Sequence, residues 1–239
     1  MAHRRAWANE DGARGGQVRV SGFEHLSSTS RLMVKQEVEM MEAITGWETA
    51  NEYRVFKDRS EIYRVREQSN GCSRQCLKSA RPFTLYIADS QSGTPFLRCE
   101  RPWRWYFHEM DVYDDASGEL LGKIRRTFSV LAKTYEILDA EGVVLCDIHC
   151  GFFSPWTFEI AERGEPIGAI RKKWSGFVQE MFTDADNFGV EFRANLPLAL
   201  KALLLSATFL IDFMYFEDNA PAERRRGRGS RFGSQFIIS

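Results

Sequence analysis

The sequence predicts a mostly-β protein, an antiparallel β-barrel built from successive hairpins around one hydrophobic helix near the C-terminal end. Three observations carry that reading. A hairpin pattern returns five times, its strands leave two exposed sheet edges unless the sheet closes on itself, and a long apolar run follows them.

Each hairpin unit is an alternating run, a polar turn and a second alternating run. The units are EYRVFKDRSEIYRVRE, FTLYIADSQSGTPFLRCER, MDVYDDASGELLGKIRR, TYEILDAEGVVLCDIH and TFEIAERGEPIGAIRKK. Period-two alternation marks a strand with one buried face, and Asp, Ser and Gly supply the turn. Starting at Tyr53, Leu85, Val112, Ile137 and Ile160, the units recur every twenty-three to thirty-two residues and give ten strands. A propeller would need longer, four-stranded units. Ahead of them, RLMVKQEVEMMEAITG sets Val34, Val38 and Met41 at helical spacing with Gly46 as a stop, which predicts a short helix leading into the first strand.

The second helix is predicted over 196–216. Asn195 can cap its start, Pro197 suits the first turn, and apolar residues continue to Phe216. A spanning helix needs about 20 mainly apolar residues. Lys201 and Asp212 interrupt this one, and its charge-free run, Ala202 to Ile211, is ten residues. A helix apolar on all faces belongs in protein or in lipid, and the barrel interior is the favoured of the two.

With 239 residues and 44% hydrophobic content, the chain has one sizeable core. The expected organisation is a mobile arm at 1–31, a barrel domain at 32–218 and a basic disordered tail at 219–239. From Pro221 onward five Arg stand against one Glu, a net +4 that leaves −5 for the rest of a chain whose total is −1. A single-pass topology would have to carry that tail across the membrane, which the positive-inside rule disfavours. Five cysteines leave one unpaired and no apolar h-region follows Met1, so a reducing compartment is expected. Cys146/Cys150 read as buried thiols, not zinc ligands. G-x-S-x-G, P-loop, H-E-x-x-H and dinucleotide glycine patterns are missing, so an enzyme is not expected.

Several ordered segments then resemble the phospholipid scramblase family from about Leu32 to Glu217: EAITGWETANEY, GCSRQC followed by RPFTL, ERP, RKKWSGFVQEMFTDADNFGVEF and FLIDFMYFE. The resemblance implies a tubby-like barrel of about twelve strands around a hydrophobic C-terminal helix. It also implies calcium-stimulated, two-way movement of phospholipids between leaflets at the cytoplasmic face of a membrane, the plasma membrane before a mitochondrial or nuclear pool. The family's proline-rich N-terminal segment has no counterpart, the first proline being Pro82, so no SH3 or WW partner is implied. Its fatty-acylated cysteine-dense stretch is replaced by PWRWYF, which weakens acyl anchoring and leaves Cys72 and Cys76 as acylation candidates.

The candidate membrane and lipid residues are Trp103, Arg104, Trp105, Tyr106 and Phe107, whose rings and guanidinium suit a headgroup boundary or, alternatively, a strand packed on the barrel exterior. To these are added the basic triplet Arg171, Lys172 and Lys173, and Phe209, Ile211 and Phe213 of the helix. Their partners would be a phospholipid bilayer and anionic lipids; nucleic acid is disfavoured. The competing function is a non-transporting module that binds anionic lipids such as phosphoinositides, with nuclear regulation behind it. TDADNFGVEF opens like a calcium loop: Asp184 and Asp186 fill the first and third positions and Gly189 the sixth, but Phe188 takes the fifth and Asn195 the twelfth, where a bidentate carboxylate is normal. Glu191 or the Val190 carbonyl would add oxygen, giving a weak site, roughly 10⁻⁴ to 10⁻³ M or worse. The alternative is a plain turn.

Overall fold

The computed structural model describes residues 22–37, 51–69, 82–103, 108–129, 132–172 and 187–215. Twelve antiparallel strands form a closed barrel in the order β1-β12-β11-β10-β9-β8-β7-β6-β5-β4-β3-β2. They are β1 (Arg31–Glu37), β2 (Glu52–Lys57), β3 (Ser60–Gln68), β4 (Phe83–Asp89), β5 (Pro95–Arg101), β6 (Glu109–Asp114), β7 (Leu120–Thr127), β8 (Ala132–Leu138), β9 (Val144–Gly151), β10 (Thr157–Glu162), β11 (Glu165–Lys172) and β12 (Asn187–Phe192). The five hairpin units are the pairs β2–β3, β4–β5, β6–β7, β8–β9 and β10–β11.

Three of the hairpin turns share one device. Asp89 and Asp114 end their strands and accept, through Oδ1, the N–H groups of the next turn residues (2.8–3.1 Å), and Asp139 Oδ1 accepts Val143 N–H at 2.7 Å. In β10–β11 the two-residue turn Arg163-Gly164 has φ of +50° and +85°, the left-handed pair a tight hairpin demands.

Closure comes from the two strands outside the hairpins. β1 pairs with β2 on one side and β12 on the other. This corrects the helix expected from Arg31 onward: Leu32 and Val34 point inward at period two and are 1% exposed. The helical spacing of Val34 and Val38 loses to the open edges of β2 and β12, whose backbone groups need a partner. The residues from 38 to 50 lie outside the described ones.

The packed structure also begins ahead of residue 32. Helix α1 (Phe23–Ser27) places Leu26 at 0% exposure, Tyr63 donates to the Gly22 carbonyl at 2.6 Å, and Phe23 packs on Phe96 with ring centroids 5.1 Å apart. Burial pushes the Tyr63 phenol well above its ordinary pKa.

The barrel encloses helix α2 (Leu198–Tyr215), about 27 Å long at 1.5 Å per residue. Every residue from Leu200 to Phe213 is at most 5% exposed. Partners come from around the barrel: Tyr53 of β2 on Phe209, Phe83 of β4 on Phe213, Cys99 of β5 to Ser206, and Tyr135 of β8 to Met214. Burial pushes the Cys99 and Cys146 thiols up to about 12. The first helical hydrogen bond runs from Lys201 N–H to the Pro197 carbonyl, so the helix starts two residues later than a cap at Asn195 would place it. Among the described residues no helix is long and apolar enough to cross a membrane.

The topology gives the barrel two different ends. The five hairpin turns, α1 and the start of α2 share one end, here called the turn end. β1, β3, β5, β7, β9 and β11 all finish at the opposite, distal end, where α2 also finishes.

Gly122 of β7 allows α2 to sit close. A Cβ there would lie 2.2 Å from the Leu138 carbonyl oxygen and 2.9 Å from a Leu203 methyl. Gly122→Ala is therefore expected to destabilise the fold by about 1–3 kcal/mol. Urea unfolding should show a lower midpoint at unchanged slope; an unchanged midpoint would mean that α2 is not seated against β7.

Candidate functional site

The two charges that interrupt α2 are both buried, at opposite ends of the barrel. At the turn end Lys201, 1% exposed, donates to the carbonyls of Ser27 and Thr29 at 2.9 Å and of Leu26 at 3.4 Å. Its ammonium sits 5.6 Å from the Phe192 ring centroid. Burial, with some help from the Lys57 charge, holds its pKa below the ordinary lysine range. At the distal end Asp212, also 1% exposed, accepts from Tyr53 Oη at 2.9 Å and faces Lys172 Nζ at 3.7 Å.

Around Asp212 the barrel wall ends in a largely basic layer. Strand alternation produces it: Arg101 continues the inward series Leu97, Cys99; His108 precedes Met110, Val112; Arg126 follows Ile124; Lys133 precedes Tyr135, Ile137; Lys172 follows Ile170. Arg101 is 3% exposed, with its guanidinium 5.6 Å from the Phe83 ring and 5.0 Å from that of Phe213. Its Nη2 lies 2.6 Å from His108 Nδ1. Burial, then the Arg101 and Arg126 charges, pushes the His108 pKa down to about 4. The imidazole is therefore neutral near pH 7, and its Nδ1 accepts from the guanidinium. Burial also lowers the Lys133 pKa, with Cys150 and Arg126 acting in opposite directions. Glu67 adds one carboxylate to this end and accepts from Asn51 N–H at 3.1 Å.

The residues expected at the site separate into groups. Phe209, Ile211 and Phe213 are 1%, 0% and 3% exposed and face the barrel interior, not lipid, because the wall surrounds α2 on all sides. Of the basic triplet, Arg171 points outward and pairs with Glu191 at 2.8 Å, whereas Lys172, one residue on, points inward to Asp212. Trp103 is 46% exposed just past β5. Arg104, Trp105, Tyr106, Phe107, Lys173, Cys72 and Cys76 lie outside the described residues, as do Asp184 and Asp186.

The remaining members of the calcium set do not converge. Asn187–Phe192 is an extended strand, and Gly189 has none of the positive φ that a sharp loop turn would need. Val190 is buried within the sheet, opposite Leu32 and Ile170. The Glu191 carboxylate is held by Arg31 at 3.1 Å and Arg171 at 2.8 Å. Asn195 lies beyond the strand at the turn end, while the strand begins at the distal end. These three residues do not fit one calcium ion.

Sequence reasoning missed Tyr53, Arg101 and Lys133 as members of one layer. The signal was present: in each strand the inward parity continues one step past the last apolar residue.

A closed antiparallel barrel threaded by its own C-terminal helix, with a basic layer at one end, defines the class of protein. The family model described as Scramblase matches residues 17–218, and the chain belongs to that family. It is similar to phospholipid scramblase 1 of Mus musculus, 35% identical over 221 residues, covering 86% of this chain and 67% of that one. Phospholipid scramblase 1 of Homo sapiens is 32% identical over 224 residues, covering 86% and 69%. Phospholipid scramblase family member 5 of Homo sapiens is 33% identical over 211 residues, covering 82% and 77%. The chain thus spans about two thirds of the scramblase 1 relatives.

Two outcomes test this geometry. Asp212→Ala, which removes the carboxylate 3.7 Å from Lys172 Nζ, is expected to cost about 3–5 kcal/mol, and the pair Lys172→Met with Asp212→Leu markedly less; equal losses in chemical denaturation would mean that the two charges do not compensate each other. Asn195→Glu is expected to leave calcium affinity unchanged in calorimetric titration, since the added carboxylate stands at the wrong end of β12; tighter binding would restore the loop reading.

Proposed function

We propose that this protein is a membrane-associated phospholipid scramblase that moves phospholipids in both directions between bilayer leaflets. The observation that carries this reading is the match to the Scramblase family over residues 17–218, joined by relatives named as phospholipid scramblases. It is a transport role, not a catalytic one, and its partner is the phospholipid bilayer. The site of action in this reading is the cytoplasmic face of a membrane, the plasma membrane first. Calcium stimulation belongs to the proposal through Asp184 and Asp186, the strong oxygen donors of the DADNFG stretch. Because α2 is enclosed, the proposed lipid path runs at the barrel's outer surface against the bilayer, not along the helix.

A second reading is favoured by one observation, the inward-facing cations Arg101, Arg126 and Lys133 at the distal end. Such a layer suits recognition of an anionic headgroup without transport. Reconstitution of the purified chain into liposomes with labelled phospholipid, with and without calcium, separates the two. The expected result is loss of label asymmetry, accelerated by calcium in the wild type and not in Asp184→Ala with Asp186→Ala. Vesicle binding with no movement would replace the scramblase by the binding module.

A further inference from the structure

Among the described residues, exposed Phe and Trp side chains are concentrated at one end of this barrel. Phe128 and Phe153 are 95% exposed, Phe152 77%, Trp103 46% and Trp156 45%. Trp103 follows β5, Phe128 follows β7, and the other three lie between β9 and β10. These are three consecutive connections at the distal end. With neighbouring strands about 4.8 Å apart, they are set about 10 Å from one another along one arc of the rim.

The β9–β10 tip is braced. Ser154 N–H donates to the Gly151 carbonyl at 3.2 Å, Thr157 N–H to the Ser154 carbonyl at 3.0 Å, and Cys150 Sγ to the same Ser154 carbonyl at 3.4 Å. The Phe152 and Phe153 rings meet edge to face, 5.6 Å apart. That frame presents the rings to the outside.

Charge is sorted along the same axis. Arg101, Arg126 and Lys133 lie behind this arc, on β5, β7 and β8, and Glu109 at the start of β6 is held by Lys123 at 3.3 Å and Arg125 at 3.5 Å. In the turns at the opposite end Asp114, Asp115, Glu119, Asp139, Glu141 and Glu162 outnumber Arg59 and Arg163. An anionic surface attracts the first end and repels the second. The exposed apolar residues of the turn end, Val143, Val144 and Leu198, are smaller and, at the valines, set among acids.

We infer that this aromatic arc is the surface by which the protein docks on the headgroup–acyl boundary of an anionic phospholipid bilayer, with the barrel axis inclined so that the distal end meets the membrane. The inference deepens the scramblase reading and rests on it for the presence of a bilayer. Trp and Phe are favoured at that boundary, where a ring meets acyl chain and headgroup together. Lipid suits the arc better than a protein partner because the described rings stand on three different connections of the rim; a fluid boundary accommodates each independently.

The test uses the full chain, calcium chelated, and flotation with vesicles of phosphatidylcholine alone or mixed with phosphatidylserine. The wild type should bind the mixed vesicles more tightly. Phe128→Ser, Phe152→Ser and Phe153→Ser combined should weaken that binding by about tenfold or more at unchanged Tm, since three exposed rings lose their apolar contact. Val143→Ser with Val144→Ser should leave it unchanged. Should the triple variant fold poorly, Phe128→Ser and Phe153→Ser tested singly should each weaken binding by about threefold. Wild-type affinity in the triple variant and both single variants, an equal loss in the valine variant, or no vesicle binding by the wild type, as a protein-docking surface would give, overturns the inference. Labelled-lipid movement on the same vesicles distinguishes the two readings. Arc-dependent binding without movement, in calcium as in chelator, retires only the scramblase; movement undiminished in the triple variant retires only the docking surface.

Discussion

A helix that carries two charges into the interior of the barrel sets the terms for the rest of this molecule. Lys201 and Asp212 are each 1% exposed, and an uncompensated charge at that depth would cost several kcal/mol. Compensation is built at both ends of the barrel. Lys201 finds three carbonyls on and just after α1, so the short helix that precedes β1 closes the turn end and caps the cation at once. Asp212 finds Tyr53 from β2 and Lys172 from β11, two strands on either side of the β1–β12 closure. The axial position of α2 is thereby fixed by polar contacts, while its apolar residues, which tolerate sliding, supply the bulk of the buried area.

The same arrangement gives the barrel its polarity. Inward positions that are apolar through the middle of the wall become cationic at the distal end, around the C-terminal end of α2, where the helix dipole is negative and a cation is favoured. The turn end is closed by polar hairpins and α1. A protein that meets a planar surface needs two unlike ends, and here the inequality follows from topology, because an up-and-down barrel puts all five tight hairpins on one side.

Enclosure of the helix also bears on lipid movement. A hydrophobic C-terminal helix invites the idea of a membrane span, yet its side chains pack against β2, β4, β5 and β8 and offer no face to acyl chains. In the proposed reading, lipid movement is then a property of the barrel's exterior and rim.

Much of this was legible in the amino-acid sequence. Alternation and turns rich in Asp, Ser and Gly are local signals, so the five hairpins and their turns were read at their observed places, as was the apolar helix. That the sheet closes was a physical argument about edges; that β1 and β12 close it is seen only in the structure. What only the tertiary structure decided involves partners distant in sequence. Arg31–Glu37 has helical spacing but lies between two strands whose unpaired backbone outweighs local propensity. Phe209, Ile211 and Phe213 have the composition of lipid-facing residues, and only the surrounding wall shows that they face protein. TDADNFGVEF resembles a loop because its residue types do; its second half is a strand because β1 and β11 are there to pair with it. The basic layer draws one cation from each of four strands, with His108 just ahead of a fifth, and no window of sequence contains it.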